Sequence, residues 1–171
     1  MSPKKTVRYI YWDSCVFLSY VSRIPERIIV LENILDEAQQ KSDIKIISSA
    51  VAIAEVVFVS GHGPGRRMPL EQEKLIDELW QVSFVELVEA SPPLFFEARQ
   101  LMRQAADEGR SLKVLDAIHL ATAAWFHRQI TPLDEVHTYD PKWEKFGSDI
   151  GLSICEPRLL QPPLPLEDFD E

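Results

Sequence analysis

The chain has 171 residues, 46% apolar and 26% charged, a balance that fits one globular domain with a sizeable core. No apolar run approaches the roughly 20 residues of a membrane span, and the basic start lacks the apolar region of a secretion signal, so a cytoplasmic, membrane-free protein is expected. The formal charge of −9 argues against a broad basic footprint for nucleic acid, although five of the acids lie from Glu156 onward against a single Arg.

In chain order, Val7 to Trp12 is β-branched and aromatic, too short for a helix, and reads as a buried strand. Asp13 falls where that strand stops. In an open parallel sheet ligands bind outside the carboxyl ends of strands, which makes Asp13 the natural starting point for a site. A short helix is expected through Ser22. Pro25 suits the first position of the next helix, whose apolar face repeats at Ile28, Leu31, Ile34, Leu35 and Ala38. Ile44 to Ser48 reads as a second strand. Ser48 or Ser49 can cap a following helix over Ala50 to Val59, with Glu55 inside it.

Gly61-His62-Gly63-Pro64-Gly65 breaks the chain, and Arg66-Arg67 makes that stretch locally basic. The spacing of Leu75, Ile76, Leu79 and Trp80 predicts a helix from Pro69. Val82 to Val88 alternates as a strand does. Ser91-Pro92-Pro93 opens a helix towards Asp107, stopped by Gly109, and Leu112 to Gln129 is the most helical stretch of all. Val136 to Tyr139 and Leu152 to Cys155 are short strand candidates. Residues 1–156 are therefore expected to form the folded domain, and 157–171 a proline-rich acidic tail. Strands alternating with helices predict a three-layer α/β/α fold around a central, mainly parallel sheet. Cys15 and Cys155 form no CxxC pair and read as reduced core thiols.

Four acids stand in or beside apolar elements: Asp13, Glu55, Asp116 and Asp140. Singly, Asp13 and Asp140 can cap the helices after them, and Glu55 or Asp116 can pair with a buried base. Together they are harder to neutralise, because their own segments lack basic residues. Carboxylates that converge without partners repel and raise one another's pKa. A divalent cation resolves that conflict, and an oxygen-only set suits Mg²⁺ or Mn²⁺ better than zinc.

Asp13-Ser14-Cys15-Val16-Phe17-Leu18, Ser48-Ser49-Ala50-Val51-Ala52-Ile53-Ala54-Glu55-Val56, Asp116-Ala117-Ile118-His119-Leu120-Ala121-Thr122-Ala123 and Thr138-Tyr139-Asp140 follow one another in the order and spacing of a known family. The chain resembles the PIN-domain family over about residues 7 to 156, and within it the VapC-like toxin ribonucleases of type II toxin–antitoxin pairs. The resemblance implies a metal-dependent endoribonuclease that hydrolyses RNA in line and leaves a 5′-phosphate and a 3′-hydroxyl. It carries over Asp13, Glu55, Asp116 and Asp140 as the catalytic quartet holding one or two Mg²⁺ or Mn²⁺ ions. It also implies an antitoxin partner and a homodimer.

Ser14 is expected to hydrogen-bond near the ions or to cap its helix, and Thr138 to orient Asp140 from outside the ligand shell. His119 reads as a packing or hydrogen-bonding residue, not a ligand. Arg110 and Lys113, just before Asp116, are the preferred contacts for RNA phosphate, with Arg66 and Arg67 behind them; each is equally a solvated surface charge. An aspartyl-phosphate mechanism at Asp13 would want an acid two positions on, where the chain has Cys15, and no His is placed in sequence to activate that thiol. The alternative function is a PIN-fold RNA- or protein-binding module without catalysis.

Overall fold

The computed structural model describes residues 7–58 and 67–159; the 61–65 glycine break, Arg66 and the tail from 160 onward lie outside the described residues. Its centre is β1 (Arg8–Trp12), buried on both faces as a continuous apolar run requires. Ile10 and Trp12 point into one core, with Val16, Phe17, Leu31, Ile46 and Ile76. Tyr11 points into the other, with Ile47, Leu94, Leu120, Phe126 and Val136. That alternation is the two-residue period of a strand. Burying side chains such as Phe17 or Leu120 contributes about 1.5–3 kcal/mol each.

Around β1 lie β2 (Ile44–Ser49), β3 (Val85–Val88), β4 (Glu135–His137) and β5 (Ile154–Cys155), in the order β3-β2-β1-β4-β5. Every neighbouring pair is parallel, with Ile10 beside both Ile46 and Glu135. The helices α1 (Ser14–Val21), α2 (Pro25–Lys41) and α4 (Leu70–Leu79) supply one face, and α5 (Pro92–Asp107) and α6 (Val114–Gln129) the other. This is the expected three-layer α/β/α arrangement, with the sheet wholly parallel. Strand order runs outward one way from β1 to β3 and the other way from β4 to β5. The carboxyl ends of β1 and β4 therefore flank the topological switch point.

Two local readings change, and the helix that Asp140 can cap is present. The helix expected over 50–59 shrinks to the single turn α3 (Ala52–Glu55). At Val56 the backbone leaves helical geometry, its side chain enters the core, and Phe58 pairs in an isolated antiparallel bridge with Arg67. β3 begins only at Val85, after a turn closed by Val85 N–H donating to the Val82 carbonyl (3.2 Å). The chain after Asp140 forms a 3-10 helix (Pro141–Phe146) and the short α7 (Gly147–Ile150), which bury Trp143, Phe146 and Ile150. The start of that turn carried a readable signal: Asp140 accepts from Lys142 N–H (2.9 Å) and Pro141 takes the first helical position. Both cysteines are free, and among the described residues no helix is long and apolar enough to cross a membrane.

Candidate functional site

Asp13 follows the last residue of β1 and caps α1, its Oδ1 accepting from Cys15 N–H at 2.6 Å. Its Oδ2 accepts from the Thr138 hydroxyl (2.6 Å) and the Cys15 thiol (3.2 Å). The carboxylate is buried, and these three hydrogen bonds offset the cost of taking it out of water. The Cys15 thiol meets the opposite condition. Burial, then the Asp13 charge, push its pKa above the ordinary thiol range, so it serves as a proton donor and not as a nucleophile.

Thr138 joins the ends of β1 and β4. Besides donating to Asp13, its Oγ1 accepts from Asp140 N–H at 3.0 Å, and so ties the backbone of Asp140 to the Asp13 carboxylate. Asp116 comes from the first turn of α6 and is half-buried. Its pKa is raised by burial and by the charges of Asp13 and Asp140, against a hydrogen bond from the Trp143 indole and the nearby charge of Lys113. The charges of Asp13 and Asp140, from two other segments, thus reach Asp116 beside the switch point.

Glu55, the last residue of α3, sits in a different environment. Ser14 Oγ donates to its Oε2 in a short hydrogen bond, and His119 Nε2 lies 2.6 Å from the same oxygen. Burial pushes its pKa up, but these two donors more than offset that and hold it below the usual carboxylate value. His119 is itself anchored. Its Nδ1 lies 2.7 Å from the Tyr11 hydroxyl, which accepts from Ser49 N–H at 3.1 Å. One assignment of protons satisfies the chain: Ser49 N–H to Tyr11, Tyr11 O–H to Nδ1, and Nε2–H to Glu55. The four carboxylates ring the crevice without closing on a point, since no three of their ligand atoms lie within 4.8 Å of one another.

The basic candidates are placed less uniformly. Arg110 commits its guanidinium to Asp149 (2.7 Å), Glu108 and the Lys145 carbonyl (3.0 Å), and lies 4.9 Å from the centre of the Phe146 ring. Arg67 makes a two-pronged contact with Glu73 at 2.9 and 3.0 Å. Lys113 is exposed beside Asp116, and Arg66 lies outside the described residues.

Sequence reasoning missed Tyr11, Cys15 and Trp143 as donors around the acids. A signal existed for the first: Tyr11 shares a strand face with Asp13, and a buried phenol needs a hydrogen-bond partner. His119 lies three residues after Asp116, on the same face of α6, which brings it to the same crevice. Trp143 had no comparable signal, because it arrives on a turn whose path the local pattern does not set.

A wholly parallel sheet with an acidic crevice at the ends of its central strands defines a class of α/β protein. The PIN domain family model matches residues 10–148, and the chain belongs to that family. Solved structures agree on the fold. The crystal structure of VapBC2 from Rickettsia felis bound to a DNA fragment from their promoter matches with a TM-score of 0.61 at 12% identity, over 86% of this chain and 98% of that one. FitAB bound to an IR36 DNA fragment matches with a TM-score of 0.53 at 16% identity, over 90% and 99%. FitAcB from Neisseria gonorrhoeae gives 0.53 at 18% identity, over 86% and 97%. No curated protein sequence matches the chain significantly.

Proposed function

We propose that this PIN-domain protein is a metal-dependent endoribonuclease, the toxin of a toxin–antitoxin pair, working in the cytoplasm through Asp13, Glu55, Asp116 and Asp140. One observation carries the reading: Asp116 lies beside the switch point within reach of the charges of Asp13 and Asp140, which add to the burial that raises its pKa. Such a set fits a divalent cation, and its all-oxygen character favours Mg²⁺ or Mn²⁺, one ion or two. Bound there, the ion would polarise the scissile phosphate and supply hydroxide at neutral pH.

The protein's own groups do the rest. Thr138 fixes the spacing of Asp13 and Asp140, and Ser14 with His119 keeps Glu55 ionised and aimed. Trp143 and Lys113 temper the charge of Asp116. No side chain here is an activated nucleophile, so direct in-line hydrolysis with a 5′-phosphate and a 3′-hydroxyl as products is the consistent chemistry. Lys113 is the best-placed cation for a phosphate of the RNA, because Arg110 and Arg67 are already paired. The nuclease domain is taken as residues 1–156 and the acidic tail as 157–171; Arg158 ties the start of that tail to Glu135 of β4. An antitoxin partner and a homodimer belong to the same proposal, supported by family membership and by the named neighbours VapBC2 and FitAB.

The test is cleavage of a mixed pool of structured RNAs by the purified chain with EDTA, Mg²⁺ or Mn²⁺, beside Asp116→Asn. Metal-dependent cutting that the variant lacks supports the proposal. If wild type and variant are equally silent while cations still bind, the substrate is narrow or absent; if no cation binds either, the quartet is structural and the binding-module reading takes over.

A further inference from the structure

β4 and β5 carry a second set of ligand-type side chains that the acidic crevice does not use. Val136 joins the core beneath α6, so its neighbours Glu135 and His137 project to the opposite face of the sheet, beside Ile10 and Trp12. Cys155 is the register partner of His137 across β4 and β5. Glu135 Oε2 lies 3.0 Å from His137 Nε2 and 3.5 Å from Cys155 Sγ. The three residues bring their ligand atoms within 4.8 Å of one another, the one such trio among the described His, Cys, Asp and Glu residues.

We infer that Glu135, His137 and Cys155 form a site for a borderline-soft divalent cation of the zinc class, separate from the acidic crevice. Zinc bonds to nitrogen, oxygen and sulfur of about 2.0–2.3 Å set tetrahedral ligands roughly 3.2–3.8 Å apart. The Glu135–Cys155 separation falls within that span, the Glu135–His137 pair lies just below it, and all three ligand atoms are within 4.8 Å of one another. Its donor set of one imidazole, one thiolate and one carboxylate suits zinc or cobalt and not magnesium.

The surroundings support the assignment. Arg158 Nη2 holds Glu135 Oε1 and leaves Oε2 turned towards the other two ligands; its Nε, 3.4 Å from Oε2, is the contact an ion displaces. His137 is fully buried, with its Nε2 turned to Glu135 Oε2. Occupied, the site clips the short edge strand β5 to β4, the strand that leads into Thr138 and Asp140.

Cobalt titration of the metal-free full chain tests this. The expected result is that one equivalent, beyond any held by the acidic crevice, gives tetrahedral visible bands and a near-ultraviolet thiolate charge-transfer band, all displaced by zinc. Cys155→Ser removes the charge-transfer band, while Cys15→Ser and Asp116→Asn keep it. His137→Gln weakens binding by more than the roughly 10–100-fold that loss of an outer-shell partner costs. Absence of a thiolate band in the wild type overturns the inference, as does a band that survives Cys155→Ser and vanishes in Cys15→Ser. Alkylation of the unmodified chain checks the same point without a variant: zinc protects Cys155 and leaves Cys15 unprotected, and equal labelling of Cys155 with and without zinc counts against the site.

Discussion

The crevice has two unlike halves. On one side Asp116 lies within reach of Asp13 and Asp140, and its pKa rises through burial and the charges of the other two. On the other side Glu55 receives Ser14 and His119, with Tyr11 and Ser49 behind them, and its pKa falls in spite of burial. Neighbouring charge thus reinforces the effect of burial at Asp116, and hydrogen bonds outweigh it at Glu55. Under the proposed function a cation would complete the aspartate half, whereas the fold itself supplies the partners of Glu55.

The largest effect is expected where that contrast is broken from the aspartate side. Asp116→Asn should lower metal-dependent RNA cleavage by on the order of 10³-fold, equivalent to about 4 kcal/mol of transition-state stabilisation. The same change should raise the melting temperature of the metal-free protein, because it removes a repelling charge; a fall in melting temperature would show that Asp116 is satisfied by its neighbours. From the glutamate side, His119→Gln should cost about 10–100-fold in cleavage, as loss of an orienting partner does. Tyr11→Phe leaves His119 Nδ1 and Ser49 N–H short of a partner and should destabilise the fold by about 1–3 kcal/mol, read by urea unfolding.

The dependence of stability on pH sharpens the contrast without touching a residue. Asp116 is raised above its ordinary value of 3.8, so its contribution is fully present below that pH and is lost as pH rises through the higher folded value. Glu55 is lowered from 4.5, so its contribution is present above that pH and is lost as pH falls through the lower folded value. Melting curves of Asp116→Asn and Glu55→Gln across acidic pH should therefore depart from wild type in opposite directions; a common direction would remove the distinction. The smallest effect is expected for Ser14→Ala, below about tenfold in cleavage, since Glu55 keeps His119.

The layered fold and the place of Asp13 were open to sequence reasoning for one physical reason. A parallel sheet covered on both sides writes long apolar runs, and a carboxylate at the end of such a run is conspicuous. Helix edges set by proline and glycine were equally plain, as α2 and α5 show with Pro25, Pro92 and Gly109. What escaped was decided by tertiary contact. Val56 leaves α3 because its side chain reaches the core, and Phe58 then pairs with Arg67. The hydrogen bonds from Tyr11 to His119 and from Ser14 to Glu55 span 108 and 41 residues, distances at which no local pattern speaks. The Glu135–His137–Cys155 group escaped for the same reason, as it exists only once β4 and β5 are in register.

The margins of the sheet have a consequence for crowding and assembly. β5 is two residues long, and β3 is four residues with Glu86 exposed at its middle. Neither offers a long, flat, apolar row of unpaired backbone groups, the template on which neighbouring chains add strand to strand and aggregate. Copies of this chain that meet in concentrated solution are therefore steered away from open-ended stacking. Exposed apolar side chains are found instead on helices, as at Phe95 and Phe96 of α5.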